Sequence, residues 1–170
     1  MFPNGEKIRN DMPAMFSAGI DYGIIPSLRV SAGFHYFFDK DANYGHKLAG
    51  VYVDNDMIID NNYYELAGGL QYNINEKLLI SGGYLYSKTG VNESYQSDLT
   101  YSLTSSTVGF GGGYNLTDKM MINLGFSYSM YQDGEKTVQH LFAPTETIIP
   151  AREVYTKDTM IIAVGLDFSF

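Results

Sequence analysis

Tyr22-Gly23-Ile24-Ile25-Pro26-Ser27-Leu28-Arg29-Val30-Ser31-Ala32-Gly33-Phe34-His35-Tyr36 is the first copy of a unit that occurs three times in the chain. The second copy starts at Tyr72-Asn73-Ile74-Asn75-Glu76-Lys77-Leu78 and runs through Gly83 to Tyr86. The third starts at Tyr114-Asn115-Leu116-Thr117-Asp118-Lys119-Met120 and runs through Gly125 to Tyr128. Each copy has an apolar residue six positions after its first Tyr, a Gly at eleven and a Tyr at fourteen. The starts lie 50 and 42 residues apart, so the unit is kept while its spacers vary. Such self-similarity marks one supersecondary element used repeatedly. Two alternating runs around a turn of Pro-Ser, Asn-Glu-Lys or Thr-Asp-Lys predict a β-hairpin.

Polar stretches from Asp39 to Asn62, Thr89 to Leu103 and Gln132 to Val154 separate the units. Alternation predicts strands over Met12–Tyr22, Leu28–Phe38, Tyr63–Ile74, Leu78–Ser87, Ser105–Leu116, Met120–Tyr131 and Tyr155–Phe170. Short turns at one end and long loops at the other describe an up-and-down antiparallel sheet. The expected organisation is an irregular segment over residues 1–11 and a single β-domain over 12–170.

Parity tells which solvent the sheet faces. In the second strand Leu28, Val30, Ala32, Phe34, Tyr36 and Phe38 share one side, opposite Arg29, Ser31, Gly33, His35 and Phe37. The sixth sets Met120, Ile122, Leu124, Phe126, Tyr128 and Met130 against Met121, Asn123, Gly125, Ser127 and Ser129. A soluble β-sandwich also alternates, but its wet face carries Lys, Glu and Thr rather than Gly, Ser and Asn. The charges well inside strands, Asp21, Arg29, Glu65 and Asp167, all fall on the small-residue side. Arg or Lys against lipid at mid-depth costs about 2–4 kcal/mol, so this segregation is what a lipid-facing greasy side requires. Tyr22, Tyr72 and Tyr114 near the short turns, and Tyr36, Tyr86 and Tyr128 near the long loops, form two girdles of amphipathic rings. The predicted fold class is an all-β transmembrane antiparallel barrel, with short periplasmic turns, long extracellular loops and outer-membrane lipid as its solvent.

Composition agrees. The chain has 170 residues, net charge −8, no Cys and no Trp, with 15 Tyr, 10 Phe and 18 Gly. An acidic chain is a poor nucleic-acid binder, because phosphate contacts need a basic face. Without Cys there is neither a disulfide framework nor a thiolate metal site. No run approaches the 18 apolar residues of a transmembrane helix. Met1 to Lys7 has no apolar stretch behind it to act as a signal peptide, so an exported protein is expected to have sequence upstream.

The tail Val164-Gly165-Leu166-Asp167-Phe168-Ser169-Phe170 resembles the C-terminal signal by which the barrel-assembly machinery recognises bacterial outer-membrane proteins. Seven strands are an odd number, whereas bacterial single-chain barrels have even numbers, so further strands are expected. A small self-contained barrel with an irregular first strand is the competing organisation. The stretch Asp11-Met12-Pro13-Ala14-Met15-Phe16-Ser17-Ala18-Gly19-Ile20-Asp21-Tyr22, followed by Pro26-Ser27-Leu28-Arg29-Val30-Ser31, resembles the mid-barrel segment of the FadL/TodX family. These are outer-membrane transporters for long-chain fatty acids and other hydrophobic compounds. The hairpins at Tyr72–Leu78 and Tyr114–Met120 and the closing strand are similar to that family's C-terminal hairpins. The resemblance covers Asp11 to Phe170 and implies a fourteen-stranded barrel with an N-terminal hatch, of which this chain is the C-terminal half. It implies passive transport of hydrophobic small molecules rather than catalysis. The different-class alternative is a structural or adhesive barrel that acts through its loops, and a soluble lipid-binding barrel would need the greasy parity turned inward.

The lumen-facing candidates for the substrate path are Arg29, His35, Asp21, Glu65 and Gln71. Arg29 is the group to steer a carboxylate, with His35 on the same parity to assist. Pairing of Arg29 with Asp21 or Glu65 is the competing structural reading, since charges shut inside a narrow barrel usually pair. Asp39, Asp41 and Asn43 place oxygens at alternate positions, as calcium prefers. They depart from the EF-hand template, with Tyr44 at position six and Gly50 at position twelve, so a solvated acidic loop competes. Gly109-Phe110-Gly111-Gly112-Gly113-Tyr114 lacks the Lys and helix of a phosphate loop and reads instead as a thin, bendable stretch of wall. His35, His46 and His140 have no paired ligand spacing, and no Ser-His-Asp grouping is visible.

Overall fold

A computed structural model describes residues 11–43, 46–48, 51–142 and 147–170. The expected irregular segment over 1–11 lies, apart from Asp11, outside the described residues. In chain order the strands are β1 Met15–Ile25, β2 Leu28–Phe37, β3 His46–Leu48, β4 Val51–Val53, β5 Tyr64–Asn73 and β6 Leu78–Lys88. They continue as β7 Ser105–Thr117, β8 Met120–Tyr131, β9 Gly134–Phe142, β10 Thr147–Tyr155 and β11 Asp158–Phe168. One seven-stranded sheet, in the order β1-β2-β5-β6-β7-β8-β11, is antiparallel throughout. Two-stranded ribbons, β3–β4 and β9–β10, stand in the long loops.

The tight turns follow from their residues. After β5 the side chain of Asn75 accepts the backbone N–H groups of Lys77 and Leu78, at 2.8 and 2.9 Å, and so closes the turn on itself. Thr117 plays the same part for Lys119 at 3.2 Å after β7. Pro26-Ser27 joins β1 to β2 in two residues, with Pro fixing one φ.

Register shows how the faces are assembled. Tyr22, Val30, Leu70, Gly82, Phe110, Phe126 and Ile162 lie side by side across the whole sheet. On the opposite face, one residue along each strand, lie Asp21, Ser31, Gly69, Gly83, Gly109, Ser127 and Ile161. The row below it runs Gly23, Arg29, Gln71, Ser81, Gly111, Gly125 and Ala163. The small-residue face is the concave one, and an open hollow of about 480 Å³ lies against these two rows.

The core is not inside this sheet. Among the described residues the buried apolar ones are Ala42 and Tyr155, both outside the seven strands. Ile162 is 71 % exposed, Val164 72 % and Phe110 63 %. A soluble barrel would pack such side chains together, and burying one Val, Leu, Ile or Phe is worth about 1.5–3 kcal/mol. Here they form a continuous greasy exterior, far larger than the apolar patches that soluble monomers tolerate.

Three expectations are corrected. The first strand is Met15–Ile25 rather than Met12–Tyr22, because the chain stays paired through a register shift between Gly23 and Ile25 up to Pro26. The stretch Gln132 to Val154 is not simply a loop, since β9 and β10 pair from Gly134↔Tyr155 to Phe142↔Thr147. The last strand accordingly starts at Asp158, Tyr155 belonging to the ribbon.

Candidate lumen-facing site

The candidate residues form two polar stations on the concave face, both on the β1–β6 side of the sheet. In the half nearer the short turns, Arg29 Nε lies 3.2 Å from Asp21 Oδ1, diagonally across the β1–β2 pair. Gln71 stands directly opposite Arg29 on β5, and its amide donates to Asn73 Oδ1 at 3.4 Å. The ion pair is more than half exposed on both sides, so it holds the two side chains against the wall rather than stabilising the fold by much.

The second station lies nearer the long loops. His35 Nδ1 and Ser17 Oγ are 3.0 Å apart, and Glu65 sits opposite His35 in register. Glu65 Oε1 accepts from the Tyr63 hydroxyl and, at 3.2 Å, from Ser87 Oγ. Tyr63 lies just before β5, where burial first, and then the bond to Glu65, push its phenol up to about 12.

The structure thus divides the five candidates into Asp21–Arg29–Gln71 and His35–Glu65. Arg29 and His35 share a face but are six residues apart on an extended strand, roughly 20 Å. His35 is therefore not positioned to assist Arg29. Ser17, Tyr63 and Ser87 complete the second station and carried no signal in the sequence beyond inward parity.

Between β5 and β8 the two middle rows of the concave face carry only glycine and serine apart from Gln71. Gly69, Gly83 and Gly109 lie in line, and Gly111 and Gly125 lie beside them in the next row. On the outer side Gly82 leaves a gap that the Phe110 ring covers, its nearest atom 3.6 Å from where a Cβ would stand. A Cβ on Gly109 would meet nothing closer than the Phe126 carbonyl at 3.8 Å, so there the missing side chain leaves open space on the inner side. At the far edge Asn123 Nδ2 donates to Asp167 Oδ2 at 2.6 Å.

The candidate cation loop makes contacts within the fold. Asp39 and Asp41 lie in a 3-10 turn, the Asp39 carboxylate accepts the Tyr63 N–H at 3.1 Å, and the Asn55 amide donates to the carbonyls of Asp39 and Ala42. Asn43 N–H reaches the Asp11 carboxylate at 3.3 Å, and Tyr44 and Gly50 lie outside the described residues. Among the described residues no three acidic or histidine side chains gather as a metal site would need.

Solved structures with a similar fold include the following two. A FadL homologue from Pseudomonas aeruginosa superposes with a TM-score of 0.69 at 15% identity, over 92% of this chain and 35% of that one. The deltaS2 mutant of the monoaromatic hydrocarbon channel TodX gives 0.55 at 19% identity, over 93% of this chain and 36% of that one. At such identities the likeness is one of fold, and the chain spans about a third of the length of either structure. No curated protein matches. The model of the outer membrane protein beta-barrel domain matches residues 4–170, in keeping with the greasy exterior and polar interior, and the chain belongs to that family of outer-membrane barrels.

Proposed function

We propose that this chain forms part of the wall of an outer-membrane channel through which hydrophobic small molecules pass passively. The observation that carries the reading is the glycine patch across the concave face, with charged groups confined to its borders. An apolar molecule sliding along main chain and small side chains meets little to hold it. The fold likeness to a FadL homologue and to a hydrocarbon channel supports the same reading. Fatty acids fit it less well than uncharged compounds, because Arg29, the group placed to steer a carboxylate, is already paired with Asp21.

The sheet as it stands has two edges, β1 and β11. Each neighbour in the sheet reverses direction, so the first and seventh strands run the same way. Antiparallel closure therefore needs an odd number of further strands, whereas two copies of this sheet would meet edge to edge in parallel. Seven more would make a fourteen-stranded barrel, within the even-numbered range of such proteins. The reading assigns those strands to the remainder of a longer chain. Acyl tails then cover the greasy face, and the alternating tail to Phe170 serves recognition by the barrel-assembly machinery.

Uptake tests it. In the complete barrel, Gly109→Leu places a bulky side chain in the patch where the open space accepts it without backbone overlap. Uptake of a hydrocarbon such as toluene should fall several-fold, with outer-membrane insertion unchanged. Undiminished uptake in a properly inserted Gly109→Leu barrel removes the patch as the route.

A further inference from the structure

Above the His35–Glu65 station the β2–β5 and β6–β7 loops are sewn together. Ile59 and Val91 form a β-bridge, the N–H groups of Asp60 and Asn61 both donate to the Gly90 carbonyl, and Asn92 N–H donates to the Ile58 carbonyl. The Asn92 side chain adds a bond to the Met57 carbonyl at 2.6 Å. A Cβ on Gly90 would overlap the Asn61 carbonyl, so this seam closes only over a glycine. Beneath it lies a second hollow of about 490 Å³, lined chiefly by Phe37, Ile58, Ile59, Tyr63, Val91 and Tyr95. Its volume is that of an ordinary small-ligand site. Phe37 and Tyr63 form its floor, their ring centroids 5.2 Å apart, and Tyr63 is also the donor to Glu65 on the concave wall. Tyr63 thus links the lining of the hollow to the concave wall.

Its electrostatics are one-sided. Asp39 is the charged side chain in the lining, and it points a carboxylate oxygen at the Tyr63 N–H. The two loops carry seven acidic residues against two lysines. A carboxylate entering such a low-dielectric hollow would be desolvated beside a like charge, while an uncharged ring would lose only water.

We propose that this loop hollow is an entry site for uncharged apolar molecules of one or two rings and that it rejects the corresponding carboxylates. The site rests on the transport reading for its purpose, but its binding chemistry is separately measurable. The probes are naphthalene and 2-naphthoate, which share a ring system and differ in charge. The complete barrel in lipid nanodiscs is titrated with each, with energy transfer from the tyrosines as the signal and empty nanodiscs as the partition blank. Naphthalene should bind at least roughly tenfold tighter than 2-naphthoate at neutral pH. Ile58→Asp should lose most of the naphthalene signal. Asp39→Asn keeps an acceptor for Tyr63 and should tighten 2-naphthoate several-fold while leaving naphthalene unchanged. Heat-modifiable gel migration verifies that each variant is a folded barrel. Equal or tighter binding of 2-naphthoate overturns the proposal, as does naphthalene binding that ignores Ile58→Asp. Binding as described without any uptake would leave the site standing and sink the transport reading, whereas uptake blind to both variants would do the reverse.

Discussion

Adjacent residues on β8 offer a direct test of which side meets lipid. Leu124 lies at the middle of the strand, 59 % exposed on the greasy face, between Gly112 and Val164 of the neighbouring strands. Asn123 faces the other way, flanked by Gly113 and Gly165 and bonded to Asp167. Leu124→Arg should destabilise the complete barrel by about 2–4 kcal/mol, the cost of a guanidinium at the bilayer midplane. At 1.4 kcal/mol per tenfold, that is roughly a 30- to 700-fold loss in the folding constant. Asn123→Arg replaces one hydrogen bond to Asp167 with an ion pair in a wet, glycine-flanked space, and should change stability by less than about 1 kcal/mol. The assay is reversible guanidinium unfolding of the barrel in phospholipid vesicles, followed by tyrosine fluorescence. Equal costs, or a larger cost at position 123, would refute the assignment of faces, because both variants add the same group one residue apart.

Two further outcomes are expected. Gly90→Ala should split the loop seam at a cost of about 1–3 kcal/mol, the range for forced overlap, with exchange protection lost at the amides of Asp60, Asn61 and Asn92 and kept in the seven-stranded sheet; protection that survives at those amides contradicts the seam. In the β9–β10 ribbon the Tyr155 hydroxyl donates to Glu153 at 2.6 Å, which holds the Glu153 carboxyl below its usual range, helped by Lys136 and His140, and pushes the Tyr155 phenol up to about 12. The bond's contribution is therefore complete between the ordinary carboxylate and phenol ranges, fades as pH falls through the lowered Glu153 value, and fades again as pH rises through about 12. By NMR titration Tyr155→Phe should return Glu153 upward toward its ordinary range, and an unmoved Glu153 would show that the bond is not the cause.

The seven strands of the main sheet were legible because one chemical choice repeats at every second residue over ten or more positions. Met120–Tyr131 is the clearest case, since strict alternation runs up to a Thr-Asp-Lys turn at one end and a polar stretch at the other. The β9–β10 ribbon was not, because it lies outside the membrane and neither of its faces needs to be greasy. Glu135, Lys136, Arg152 and Glu153 interrupt its alternation, and Pro150 argues against a strand except in a ribbon like this one, where it costs no interior ladder. The β-branched and aromatic residues Thr137-Val138, Ile148-Ile149 and Val154-Tyr155 were the available signal. At the site, parity alone put Asp21, Arg29 and Gln71 on one face of three neighbouring strands. Depth along the strand separated Arg29 from His35, and that follows from counting residues. The hollow beneath the loops had no such trace: Ile58, Ile59 and Val91 meet through backbone bonds between segments some thirty residues apart, and no period links them.

Where Gly69, Gly83 and Gly109 line up, the inward surface is the peptide plane itself. Rotamer hopping, which elsewhere lets a passage breathe on the nanosecond scale, has nothing to move there. Over those three strands the wall is set by hydrogen-bond spacing rather than by side chains, and any movement at that level falls to Asp21, Ser31, Ser127 and Ile161 of the same row.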